Sequence, residues 1–129
     1  MDTEETSLDS RRHIGVDVLL ISDGNFHDIK DCKNVTCING TVMVWGNSTV
    51  KAFDNSTVKA YDNSTITAYN NSTVTAHGNS TVKAFDNSNI TAFDNSTVKA
   101  FIDSTVTAYD NSTVTAFGNS IVEDMRKGR

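Results

Sequence analysis

The sequence predicts an all-β fold, a parallel β-solenoid. Three observations predict it. An eight-residue period runs without insertion from residue 42 to residue 121. Within each period, small apolar and polar residues alternate. Two positions of nearly every period hold Asn, Asp or Gly. Period is read before motif, because a unit too short to bury its own apolar face buries it by stacking on its neighbours.

Aligned on the β-branched residue, the ten octads read VMVWGNST, VKAFDNST, VKAYDNST, ITAYNNST, VTAHGNST, VKAFDNSN, ITAFDNST, VKAFIDST, VTAYDNST and VTAFGNSI. Slot 1 is Val or Ile, and slot 3 is Ala except for Val44. Slot 4 is aromatic or His. Slots 5 and 6 hold the Asn, Asp and Gly, broken only by Ile102, and slot 7 is Ser. The run Ser56-Thr57-Val58-Lys59-Ala60 alternates with period two and is a strand. Ser, Val and Ala share its inner face; Thr and the Lys or Thr of slot 2 share the outer. Asp-Asn, Gly-Asn and Asn-Asn tolerate left-handed backbone and mark the corner. The column Asn47, Asn55, Asn63, Asn71, Asn79, Asn87, Asn95, Asn111 and Asn119 reads as a structural ladder, its amides bonding to each other and to loop carbonyls.

Two octads per coil make a flattened two-sheet solenoid of 16 residues per coil; three make a triangular prism. Interiors pack at a density of ~0.74, and inward Ser, Val and Ala are too small to fill a triangle. The two-sheet form is therefore expected. Alternation sends slot 4 outward, whereas a ring beside a turn can escape alternation and point inward; the sequence leaves both orientations open.

Open terminal coils expose strand edges, so caps are expected. Residues 13–41 read as an N-terminal cap with a degenerate repeat. Ile14, Val16 and Val18 alternate, and Ser22-Asp23-Gly24-Asn25 is a turn signal. Val35-Thr36-Cys37 and Asn39-Gly40-Thr41 imitate strand and corner, one residue short. Residues 1–12 read as a disordered tail, and residues 122–129 as a charged C-terminal cap.

Net charge is −5, and no basic stripe is evident along the chain. Direct nucleic-acid binding is not expected. No apolar run is long enough for a bilayer, and the acidic N-terminus lacks a secretory pattern, so the expected setting is cytoplasmic. Cys32 and Cys37 lack zinc spacing and read as small buried thiols.

Catalysis needs unlike groups gathered in one place, and repetition supplies like groups in rows. His77 occupies the aromatic slot and reads as a substituted ladder position. His13 and His27 lie in the cap without an evident Ser or Cys partner. Corners lack the Gly-x-Asp spacing of calcium-binding nonapeptides, and Gly46-Asn47, Gly78-Asn79 and Gly118-Asn119 carry no carboxylate. No catalytic residue, metal or cofactor is expected. Asn-Ser-Thr is a formal glycosylation sequon and is read here as turn chemistry.

The functional lead is slot 4: Trp45, Phe53, Tyr61, Tyr69, His77, Phe85, Phe93, Phe101, Tyr109 and Phe117. Facing outward, these rings and Ile102 form an apolar interface for a second copy, giving a homodimer, or for a foreign protein. Thr-x-Thr pairs suggest ice binding as an alternative, with Lys51, Lys59, Lys83 and Lys99 expected to interrupt both faces. A purely structural or self-assembling scaffold is the third reading. The array resembles the octapeptide-repeat solenoids of bacteria and phages, recognisable by VxA[FY]DNST, over residues 42–121. It is similar in logic to pentapeptide-repeat proteins, some of which inhibit DNA-handling enzymes. By that analogy, the resemblance implies a phage-encoded inhibitor of a host defence complex, an anti-CRISPR-like protein in a bacterial cytoplasm.

Overall fold

A computed structural model describes residues 12–125. Of the tail expected over residues 1–12, residues 1–11 lie outside the described residues, and Arg12 is not tail but the first residue of a strand; of the end expected over 122–129, residues 126–129 lie outside them and 122–124 continue the last strand. Among the described residues fifteen short strands follow one another: β1 (Arg12–Ile14), β2 (Val18–Ile21), β3 (Phe26–Lys30), β4 (Asn34–Ile38), β5 (Thr41–Trp45), β6 (Thr49–Phe53), β7 (Thr57–Ala60), β8 (Thr65–Ala68), β9 (Thr73–Ala76), β10 (Thr81–Ala84), β11 (Asn89–Ala92), β12 (Thr97–Ala100), β13 (Thr105–Ala108), β14 (Thr113–Ala116) and β15 (Ile121–Asp124). Odd-numbered strands form an eight-stranded sheet and even-numbered strands a seven-stranded one. The strand pairings are parallel, and within the array each residue meets the residue 16 positions on, as Val82 meets Val98. The fold is the two-sheet solenoid, with two octads per coil.

The segment expected to be a cap continues the same two sheets. β1 pairs β3, and β2 pairs β4. The missing residue before Thr41 is absorbed at a shortened corner: Asn39 alone is left-handed there, at φ 54, and Phe26 meets Thr41, 15 positions on. Gly40 takes the inward place of the corner Ser. A Cβ on it would meet Cys37 Sγ at 3.1 Å.

The core is the inner faces of the two sheets. Slot 1 Val or Ile and slot 3 Ala are fully buried from Val42 to Ala108, apart from a trace of exposure at Ile90. Both cysteines are buried in or beside this core, and burial pushes the Cys37 thiol up. Most array strands are four residues long, slot 8 to slot 3, one shorter than alternation suggested. The slot 7 Ser still points inward, but it belongs to the corner. Its hydroxyl donates to the slot 4 carbonyl three residues back, from Ser48 (2.9 Å to Trp45) through Ser112 (2.6 Å to Tyr109). A buried hydroxyl so paired avoids the cost of an orphaned polar group. The pattern fails at the last coil, where Ser120 Oγ is buried without a partner. There the core also opens: Val122 and Ala116 are exposed, while Val106 and Ala100 one coil earlier are sealed.

The Asn column does not form the amide ladder expected of it. Its side chains are exposed, and among the described residues no hydrogen bond joins one Asn side chain of the column to the next. The coils are tied instead by backbone, for example Asn79 N–H to Asp62 O at 2.8 Å. The corner is better described as a main-chain ladder with Asn chosen for its tolerance of the turn.

Candidate interaction surface

Coiling sorts alternate octads onto opposite sheets, so each outer face carries three columns: slot 8, slot 2 and slot 4. The slot 4 rings point away from the core, and none is among its buried residues. They stack on one another in two continuous piles. One pile is Trp45, Tyr61, His77, Phe93 and Tyr109; the other is Phe53, Tyr69, Phe85, Phe101 and Phe117. Centroids lie 4.2–5.2 Å apart and planes within 4–11° of parallel. That spacing is the ~4.8 Å rise between parallel strands, so backbone geometry sets the stack. Ring faces cover one another and ring edges meet solvent, leaving the rings half-buried except for Phe117, which is exposed at the open end.

His77 sits inside the first pile, between Tyr61 and Phe93, at 5.0 and 4.9 Å. Its Nδ1 is 3.9 Å from Asp94 Oδ2. It is a ring in a ladder, as its slot implied.

As expected, lysine interrupts each outer face; on the eight-stranded sheet it does so once within the array, at Lys59 beside Thr75. Three adjacent strands, β9, β11 and β13, present Thr73 and Thr75, Asn89 and Thr91, and Thr105 and Thr107 in register. No lysine interrupts these three rungs, because coiling places Lys83 and Lys99 on the other sheet. The seven-stranded sheet carries Lys51, Lys83 and Lys99, all exposed. At its N-terminal end a hollow of about 70 Å³ is lined by Asn34, Val35, Thr36, Thr49 and Lys51.

Ile102 occupies a corner beside the second pile. It is 55 % exposed and holds φ 48. A β-branched residue in the left-handed region is strained, at a cost of about 1–3 kcal/mol. Phe101 precedes it, and Gly118 of the next coil lies against its backbone, Ile102 N being 3.5 Å from the modest space a Cβ there would fill. Phe117 (47 % exposed) and Ile121 (63 %) extend the apolar patch at this corner.

One cluster was not legible in the sequence. His27 is buried; its Nε2 lies 3.0 and 3.1 Å from the Asp23 carboxylate, and its Nδ1 lies 3.0 Å from His13 Nε2. Asp23 also accepts the Asn25 N–H at 2.9 Å. That amide, and then His27, hold its carboxyl down at about 2. Burial, followed by the neighbouring His27, lowers the His13 pKa. Both rings lie in the first coils, 14 residues apart in a fold that repeats every 16, so periodicity gave no signal. Cys32 directs its Sγ to the carbonyl oxygens of His13 and Lys30, both at 3.5 Å, and so is packed as a buried thiol. Beside this cluster a hollow of about 340 Å³ is lined by Arg12, His13, Ile14, Asp28, Lys30 and Trp45. Trp45 Nε1 donates to Asp28 across it at 2.9 Å. Among the described residues no group of three or more His, Cys, Asp or Glu is arranged to hold a metal ion. Among the described residues no helix is long and apolar enough to cross a membrane.

Fold and surface together define an all-β, two-sheet parallel solenoid built on eight-residue repeats. Compared with known protein families, with characterised proteins and with solved structures, the chain matches none.

Proposed function

We propose that the protein is a non-catalytic scaffold that presents a rigid surface to a protein partner. The observation that carries this reading is Ile102. It is strained and exposed, two features that lower the stability of an isolated monomer, and it stands beside Phe101 and Phe117. Asn or Asp at that slot would remove the strain, as the other octads show. Strain and exposure kept together at one corner fit a residue retained for contact. Stacked rings lose little freedom on binding, which favours them as an interface. The test compares proteins captured from a bacterial lysate by the native chain with those captured by Ile102→Asn and Phe101→Ala. A protein held by the native chain and lost by both folded variants supports the reading; an unchanged set overturns it. Inhibition of a bacterial defence complex is the finer form of this proposal, supported by analogy with pentapeptide-repeat inhibitors. It predicts restored phage plating on a CRISPR-protected host that expresses the chain, lost with Ile102→Asn.

A second reading is favoured by the uncharged array Thr73, Thr75, Asn89, Thr91, Thr105 and Thr107 on three adjacent rungs. Regular hydroxyls on a flat rigid sheet suit an ordered water layer, and the reading is that this face binds ice. It predicts thermal hysteresis at millimolar protein that Thr91→Lys abolishes; its absence in the native chain rejects the idea.

A further inference from the structure

The sequence spreads four lysines along the array without apparent order. The 16-residue coil sorts three of them, Lys51, Lys83 and Lys99, onto the seven-stranded sheet and leaves only Lys59 on the other. Slots 8, 2 and 4 of β2, β4, β6, β8, β10, β12 and β14 hold no Asp or Glu. In a chain of net charge −5, one whole face is therefore free of acid and carries three cations. No described carboxylate lies within ion-pair distance of these lysines. Lys83 and Lys99 are direct register partners, so two like charges stand about one strand spacing, ~4.8 Å, apart. Like charges directly opposite on a sheet are destabilising, and a carboxylate placed between them would relieve the repulsion. Alongside the lysine column runs the second ring pile, Phe53, Tyr69, Phe85, Phe101 and Phe117, which passes the Ile102 corner at Phe101.

We infer that this outer face is the docking surface for an acidic protein segment that also carries aromatic or aliphatic side chains. The inference rests on the protein-binding reading above and names its face and its partner's chemistry. Carboxylates would take the lysine column and apolar groups the ring edges beside it. A nucleic acid fits less well. Three cations release few counterions, the rest of the protein is acidic, and rings stacked on each other offer no free face to a base. Long-range attraction is correspondingly weak, so contact has to be close and partly apolar.

The experiment uses the full chain and three defined probes: a random Glu-Tyr copolymer, polyglutamate, and oligo-dT. The copolymer is expected to bind most tightly, and to weaken by about tenfold when salt rises from roughly 50 to 500 mM, as exposed charge pairs are screened. Lys83→Gln/Lys99→Gln is expected to weaken it by about tenfold as well, while Lys59→Gln, on the opposite sheet, leaves it unchanged. Polyglutamate, without rings, binds more weakly, and oligo-dT more weakly still. Failure of the copolymer to bind, equal loss with Lys59→Gln, or tighter binding of oligo-dT overturns the inference. The lysate experiment separates it from the broader reading. If Lys83→Gln/Lys99→Gln keeps a partner that Ile102→Asn loses, the scaffold reading stands and this face is wrong. If neither variant changes the captured set, both fall.

Discussion

Each coil turns twice, and the two corners are spelled in nearly the same letters yet fold differently. The first corner follows the strands of the eight-stranded sheet. There only slot 5 is left-handed: Gly46, Asp62, Gly78, Asp94 and Asp110 have φ from 58 to 69. The second corner follows the seven-stranded sheet, and there both slots are left-handed in Asp54-Asn55, Asn70-Asn71, Asp86-Asn87 and Ile102-Asp103, whereas in the last such corner only Gly118 is. Two positive φ values in a row are the signature of a type I′ turn. The peptide between slots 5 and 6 is reversed as a result. At the first corner, Asn63, Asn79, Asn95 and Asn111 donate back to the preceding coil; at the second, Asn55, Asn71 and Asn87 donate forward to the following one. Both arrangements satisfy the main chain, so the difference lies in which residues each tolerates. Glycine enters the first corner twice within the array, and carboxylates from adjacent coils fold over it: Gly46 N–H donates to Asp62 and Gly78 N–H to Asp94, each at 3.0 Å. Gly78 between Asp62 and Asp94 separates like charges along that edge, though Asp94 and Asp110 remain neighbours. The lesson is that a repeat can be regular in sequence and two-valued in structure.

The largest effect that tests this contrast is at Gly78. A Cβ there would stand 3.0 Å from the Asp62 backbone at φ 66, so Gly78→Ala should cost about 2–3 kcal/mol. Gly118→Ala, equally left-handed but with nothing closer than 3.5 Å, should cost about 1 kcal/mol. Urea midpoints of the two variants would distinguish them, and equal losses would remove close coil contact as the explanation. Next comes Ile102→Asn, which should raise stability by about 1 kcal/mol by relieving left-handed strain. A variant that gains stability and loses its partner would mark the second corner as the functional one. Asn87→Ala should cost about 1 kcal/mol and Asn79→Ala only a few tenths, about 0.3 kcal/mol, because only Asn87 is left-handed. Matched denaturation curves check this pair directly, since the letters around both residues are nearly the same.

Acid gives the last test. The first turn of the second-corner series contains Asp23, whose carboxyl is held at about 2 by the Asn25 N–H and then by His27. A carboxyl whose folded pKa is depressed contributes stability above its unfolded value, near 3.9, and loses that contribution as pH falls through about 2. The Asn25 amide signal of the folded chain should therefore hold steady to about pH 3 and titrate with its midpoint at about 2. His13 works at higher pH. Its folded pKa is lowered by burial, so the unfolded chain binds protons first, and the contribution is lost as pH falls below about 6.5. Melting temperature should decline between about pH 7 and 5, and His13→Gln should flatten that decline.

The sequence by itself determined the period, the strand and the inward Ser-Val-Ala face, because each follows from side-chain size, β-branching and alternation within eight residues; it left the direction of the slot 4 rings open, and the structure turned them outward. It also marked Ile102, since one hydrophobe among turn residues needs no structure to stand out. Tertiary structure alone decided what depends on the closing of the coil. Whether Lys83 shares a face with Lys51 or Lys59, whether Thr91 has a charged neighbour, and which way an Asn peptide points are relations between residues 16 apart. They are set by how many octads complete a turn. The His13–His27–Asp23 cluster was hidden because its two rings meet diagonally between β1 and β3, 14 residues apart, and not at the 16-residue register that joins those strands.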